Sequence, residues 1–257
     1  MGEKLNWLLT QAMPGSLVLQ PWLKAHGISY SLAQKYVQSG WLKKLSAGVY
    51  YRRGASEAVK PSWVDAVQAA QTQLSLPVYV AGLSSLRYQG LSHYLALEKE
   101  QIWLGVGNKQ VLPKWFREFA QQEWHFCSHQ KLDSLTEKDV KTITIEGESL
   151  KVSGPELAAY EVLHSMGQAI SFEHAAELFQ GLVHLSPKKV QSLLERSRAV
   201  QTNRVFLFLS HYYQHPWAKY LDESSIFLGS GKRQVVEQGR YNERYQITIP
   251  LAFHAKD

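Results

Sequence analysis

Apolar positions in the first 60 residues change period several times, and each change predicts an element. Leu5, Leu8, Leu9 and Ala12 recur at helical spacing until Pro14-Gly15 stops them. Leu17–Leu19 is a short apolar run. Pro21 then suits a first helical turn, with Trp22, Leu23 and Ala25 following and Gly27 as the terminating residue. Ser29 or Ser31 can cap a third helix that Gly40 ends. Its apolar positions, Leu32, Ala33, Tyr36 and Val37, share one face, leaving Ser31, Gln34, Lys35 and Gln38 on the other. Trp41–Leu45 and Val49–Arg52 flank Ser46-Ala47-Gly48 as a hairpin. The order is helix, strand, helix, tight turn, helix, hairpin, which predicts a winged helix-turn-helix over 1–58.

Beyond a linker at Arg53–Ser56, residues 59–257 predict a mixed α/β domain, so the fold class is α+β. Trp63, Ala66, Val67, Ala70 and Leu74 mark a long amphipathic helix, and Leu83, Leu86 and Leu91 a helix ending near Gly90. Strands are expected at Val78–Val80, Ile102–Val106, Trp124–Cys127, Thr142–Ile145, Ser149–Val152 and Arg244–Ile249. Gly154-Pro155 opens a helix reaching about Met166, followed by helices at 171–183, 187–198 and 203–214.

Charge sharpens this division. The 257-residue chain carries a formal +6. Residues 1–60 hold eight bases (Lys4, Lys24, Lys35, Lys43, Lys44, Arg52, Arg53, Lys60) and two acids (Glu3, Glu57), so they account for all of it. The remaining residues are balanced at 20 and 20. A basic module on a neutral body points to a polyanion. Serine, glutamine and lysine on the third helix suit base and phosphate contacts, and Lys43, Lys44, Arg52 and Arg53 suit a wing beside the same groove. One cysteine, Cys127, excludes an intramolecular disulfide, and no run of about 18 apolar residues exists to span a membrane, so a cytoplasmic protein is expected.

Other chemistry is weakly signalled. LGSGKRQ (228–234) departs from a phosphate loop, with Ile226 where a glycine is needed and Arg233 where Ser or Thr is needed. His125, Cys127 and His129 alternate on one strand, but that spacing strains a zinc tetrahedron, and no metal or cofactor is expected. No nucleophile elbow and no paired-carboxylate set is visible, which disfavours an enzyme.

The stretch LNWLLTQAMPGSLVLQPWLKAHGISYSLAQKYVQSGWLKKLSAGVYYRRG resembles the N-terminal domain of the AbiEi antitoxin family. AVQAAQTQLSLPVYVAGLSSLRYQGLSHYL continues the likeness, and LGSGKRQVVEQGRYNERYQITIP resembles the end of that family's C-terminal domain. The resemblance implies a bacterial DNA-binding repressor and antitoxin of a toxin–antitoxin (abortive infection) system. It would autoregulate its operon at inverted repeats in double-stranded operator DNA. Its C-terminal domain, 59–257, would counter a nucleotidyltransferase-like toxin. DNA contact carries over to Ser29, Ser31, Gln34, Lys35, Gln38, Lys43, Lys44 and Arg52, and no catalytic residue carries over. The alternative is a winged-helix regulator whose C-terminal domain senses a small molecule, with Trp103, Trp115, Trp124, Tyr160, Tyr212 and Tyr213 as a pocket supply.

Overall fold

The computed structural model describes residues 2–55, 58–92, 101–107 and 110–253. Helices and several sheets alternate along the chain, an α+β fold. Cα packing divides it into two units. One comprises Met1–Val78, Lys109–Glu123 and Thr142–Lys151; the other comprises Tyr79–Asn108, Trp124–Lys141 and Val152–Asp257.

The first unit begins α1 (Glu3–Gln11), β1 (Leu17–Leu19), α2 (Gln20–Ala25), α3 (Tyr30–Gln38), β2 (Leu42–Ser46), β3 (Val49–Arg52). The strands form an antiparallel sheet of order β1-β3-β2. Its register places Lys43 opposite Tyr51 and Lys44 opposite Tyr50. Side chains alternate along a strand, so these pairs lie on opposite faces. The Tyr50 face packs with Leu8, Val18, Leu23, Ile28, Ala33 and Leu42 in the core under α1–α3. α4 (Trp63–Gln73) starts with a capping box, Ser62 with Asp65, and packs on β1. From α4, the Gln73 side chain accepts from Leu19 N and donates to Leu17 O, at 2.9 and 2.7 Å. An amide side chain thereby covers the free edge of β1.

β4 (Val78–Val80), α5 (Gly82–Tyr88), β5 (Ile102–Val106), α6 (Lys114–Arg117), β6 (Trp124–Cys127), β7 (Val140–Ile145) and β8 (Glu148–Ser153) come next, and the sheet order is β6-β5-β4-β8-β7. The pairs β5–β6 and β4–β8 are parallel. The second unit then adds α7 (Pro155–His164), α8 (Phe172–Gln180), α9 (Pro187–Glu195) and α10 (Val200–Tyr212). It closes with β9 (Arg233–Gln234), β10 (Arg240–Asn242) and β11 (Ile247–Ile249). Its core joins α7, α8 and α10 through Leu157, Tyr160, Phe179, Phe206 and Leu209. Among the described residues, no helix is long and apolar enough to cross a membrane.

Candidate nucleic-acid interface

Ser29 caps α3, its hydroxyl accepting from Leu32 N at 3.3 Å and sharing a 3.0 Å hydrogen bond with Ser31 Oγ. Ala33 is fully buried, with Leu32, Tyr36 and Val37 packed around it. The opposite side of α3 exposes Ser31, Lys35 and Gln38. Gln34 is half-buried and not free: its Nε2 donates to Tyr50 Oη at 3.0 Å, and Tyr50 Oη donates to Gln20 Oε1 at 3.3 Å. This chain of three polar groups fixes α3 against β3 and α2, beside a Tyr50 ring that is wholly buried. Burial keeps the Tyr50 phenol above its usual value, so it stays a neutral donor.

The basic residues divide by position. Lys44 is exposed and, from its register opposite Tyr50, projects from the α3 face of the sheet. Lys43 projects from the other face, opposite Tyr51. The ammonium groups of Lys35, Lys43 and Lys44 have no hydrogen-bond or ion-pair partner among the described residues. Arg52 is half-buried, and its Nη1 donates to Leu9 O and Ala12 O at 2.9 and 2.5 Å, across the end of α1. It serves those helix-terminal carbonyls, where a cation also suits the helix dipole. Arg53 is exposed just past β3, its backbone N bonded to Trp41 O. Sequence reasoning passed over Tyr30, the first residue of α3, which is 56% exposed. It sits in the first turn, the part of a DNA-reading helix where base-contacting side chains concentrate.

The weaker candidates are engaged elsewhere. His129 Nε2 lies 2.8 Å from Glu161 Oε1 and 3.1 Å from Tyr79 Oη, in a buried cluster where Glu161 also accepts from Tyr79 Oη and Gly82 N. His125 Nε2 pairs with Ser165 Oγ at 3.0 Å. Burial pushes the Cys127 thiol well up and His125 down, so Cys127 is held away from the thiolate form that a metal requires. No metal-holding group of three ligands occurs among the described residues. In the 228–234 loop, the carbonyls of Leu228, Gly229 and Gly231 accept from the Arg204 guanidinium. Carbonyls turned inward onto a cation are the reverse of a phosphate cradle.

Two family models together match nearly the whole chain. Residues 1–97 match the AbiEi antitoxin N-terminal domain of a transcriptional regulator, and residues 99–250 match the transcriptional regulator, AbiEi antitoxin, of the type IV toxin–antitoxin system. The chain belongs to the AbiEi antitoxin family of transcriptional regulators. Membership implies DNA and a toxin as partners in general terms. A crystal structure of the RV2827C protein from Mycobacterium tuberculosis shares the fold, with a TM-score of 0.59 at 12% identity over 95% of this chain and 88% of that one. No match is found among curated proteins.

Proposed function

We propose that residues 1–58 are a winged helix-turn-helix that represses the protein's own operon, with α3 reading base edges and the β2–β3 hairpin as the wing. The observation that carries this reading is one surface. α3 exposes Ser31, Lys35 and Gln38, and Lys44 projects from the same side of the sheet, its ammonium without a partner among the described residues. Ser29 and Gln34 fix the helix through its cap and the Tyr50 bond, and Arg53 adds charge at the end of the wing. Glutamine pairs with an adenine edge, while lysine neutralises phosphate. A two-fold dimer on inverted repeats would place two such helices in successive major grooves.

The rest of the reading rests on family membership. In the cytoplasm, 59–257 counters a nucleotidyltransferase-like toxin encoded beside it, and the protein acts by binding rather than by catalysis. DNase I footprinting on the DNA upstream of its reading frame tests repression, with protection of paired half-sites expected. Protection that spreads evenly along any DNA would contradict it. Co-expression with the neighbouring toxin tests the second part: growth arrest should be relieved, and arrest that persists with soluble protein present would refute it.

A further inference from the structure

The face of the β1-β3-β2 sheet that turns away from α3 carries a cleft of about 440 Å³ within the first unit. Its floor is apolar: Val49, Tyr51 and Phe119 are each at least nine-tenths buried, and the half-buried Trp115 adds an aromatic wall. Two ammonium groups stand among its lining residues, those of Lys43 and Lys60. Neither has a hydrogen-bond or ion-pair partner among the described residues. The one acid in the lining, Glu118, is exposed and pairs with Lys114 at 3.8 Å. Along the lip, Ala120 and its neighbour Gln121 take left-handed backbone angles, φ 48° and 55°. Non-glycine residues meet a steric cost there, and two in succession persist only where the surroundings hold them.

We propose that this cleft binds a small amphipathic organic anion, a flat apolar body bearing one carboxylate, sulfonate or phosphate. The volume lies in the range of small-ligand sites, which are mainly apolar with few polar groups that fix orientation. The body lies on Val49, Tyr51, Phe119 and Trp115. The anionic group meets Lys43 and Lys60, whose ammonium groups have no partner among the described residues. The site differs in place from the aromatic supply of residues 59–257, contributing Trp115 alone from that set. It also gives Lys43 a role that the opposite sheet face, with Lys44, does not share. The inference is independent of DNA recognition, because it concerns binding in the absence of DNA.

The test uses the intact protein and two probes. One is 1-anilinonaphthalene-8-sulfonate, an aromatic anion; the other is its neutral relative N-phenyl-1-naphthylamine. Fluorescence titration should show one saturable site per chain for the anion. The Lys43→Ala/Lys60→Ala double variant should bind it at least about tenfold more weakly, because charge-assisted contacts are among the stronger hydrogen bonds. The neutral probe should bind wild type more weakly by a similar factor. Both lysines are exposed, so the double variant should retain the wild-type melting temperature. Absence of saturable anion binding would overturn the proposal. So would equal affinity in the double variant, or equal affinity for the neutral probe.

Discussion

Among the bases of the first 60 residues, Arg52 is half-buried and turns its charge inward, onto Leu9 O and Ala12 O. Its substitution should therefore register in stability rather than in the electrostatics of DNA binding. Arg52→Met keeps the aliphatic packing and removes the donors. We expect a loss of about 2 kcal/mol, because partly buried carbonyls lose a charged partner. The salt dependence of DNA binding should stay unchanged in the folded fraction. Denaturant unfolding and a salt titration measure the two separately, and an unchanged midpoint with a reduced salt slope would reverse the assignment. Arg52 also marks a limit of sequence reading. Its charge and its place on the second hairpin strand were legible, but the carbonyls that take it lie about 40 positions away and emerge only once α1 is packed on the sheet. Gln34 is alike: the helical period puts it on the polar side, while the three-group chain through Tyr50 depends on a hairpin register that local patterning does not specify.

Among the elements, α10 and the segment after it depend on Arg204. This side chain is 2% exposed and meets only neutral acceptors in its hydrogen bonds, the carbonyls of Leu228, Gly229, Gly231 and Gln246 and the Gln246 side chain. Burial is the main cause lowering its proton affinity. Arg204→Met should destabilise the protein by about 3 kcal/mol, since several acceptors lose their donor at once. Limited proteolysis should then cut first within 228–246, and cleavage that begins elsewhere would show that Arg204 does not hold this segment. A second element-scale test is Gly105→Ala on β5. A Cβ there would stand 2.1 Å from the Tyr79 ring, so a loss of about 1–3 kcal/mol is expected in denaturant unfolding. An unperturbed midpoint would mean that Tyr79 can move aside without cost. Leu17–Leu19, Val78–Val80, Ile102–Val106 and Trp124–Cys127 were readable because apolar and β-branched or aromatic residues run together in them. β9 and β10 were not, because Arg233–Gln234 and Arg240–Asn242 are polar and form strands through backbone pairing with β11. The closing strand is shorter than Arg244–Ile249 because Gln246 has φ 52° and gives its carbonyl to Arg204.

For the whole molecule, three histidines bear on acid stability. His125, His164 and His215 are held below the ordinary value of 6.5, in each case mainly by burial; nearby His129 and Lys131 add to the effect at His164. A depressed histidine makes the unfolded chain the better proton acceptor. Stability is therefore full above about pH 6.5 and falls as the pH drops from there through the folded-state values, by about 1.4 kcal/mol for each tenfold difference in proton affinity. The melting temperature should be lower at about pH 5.5 than at about pH 7.5, and the drop should shrink in His215→Asn. A melting temperature that rises on acidification would contradict this. The same scale holds the basic imbalance, which was fully legible in the sequence, as was family membership. That Lys43 and Lys44 take opposite faces follows from strand alternation, but which of the two shares the α3 face needs the packed sheet.

The central claim is that α3 reads bases while Lys44, on the same side of the sheet, holds phosphate. The most direct test is a salt titration of full-length protein binding to its upstream DNA and to a scrambled duplex, with Gln38→Ala, Lys44→Ala and Lys43→Ala compared to wild type. Gln38→Ala should lose about 1–3 kcal/mol on the upstream site and little on the scrambled one. Lys44→Ala should weaken both and reduce the log–log salt slope by about 0.9 per bound protomer. Lys43→Ala, on the far face, should leave the slope unchanged. If Gln38→Ala lowers both affinities by one common factor, or if Lys43→Ala and Lys44→Ala change the slope equally, α3 and its sheet face are not the surface that meets DNA.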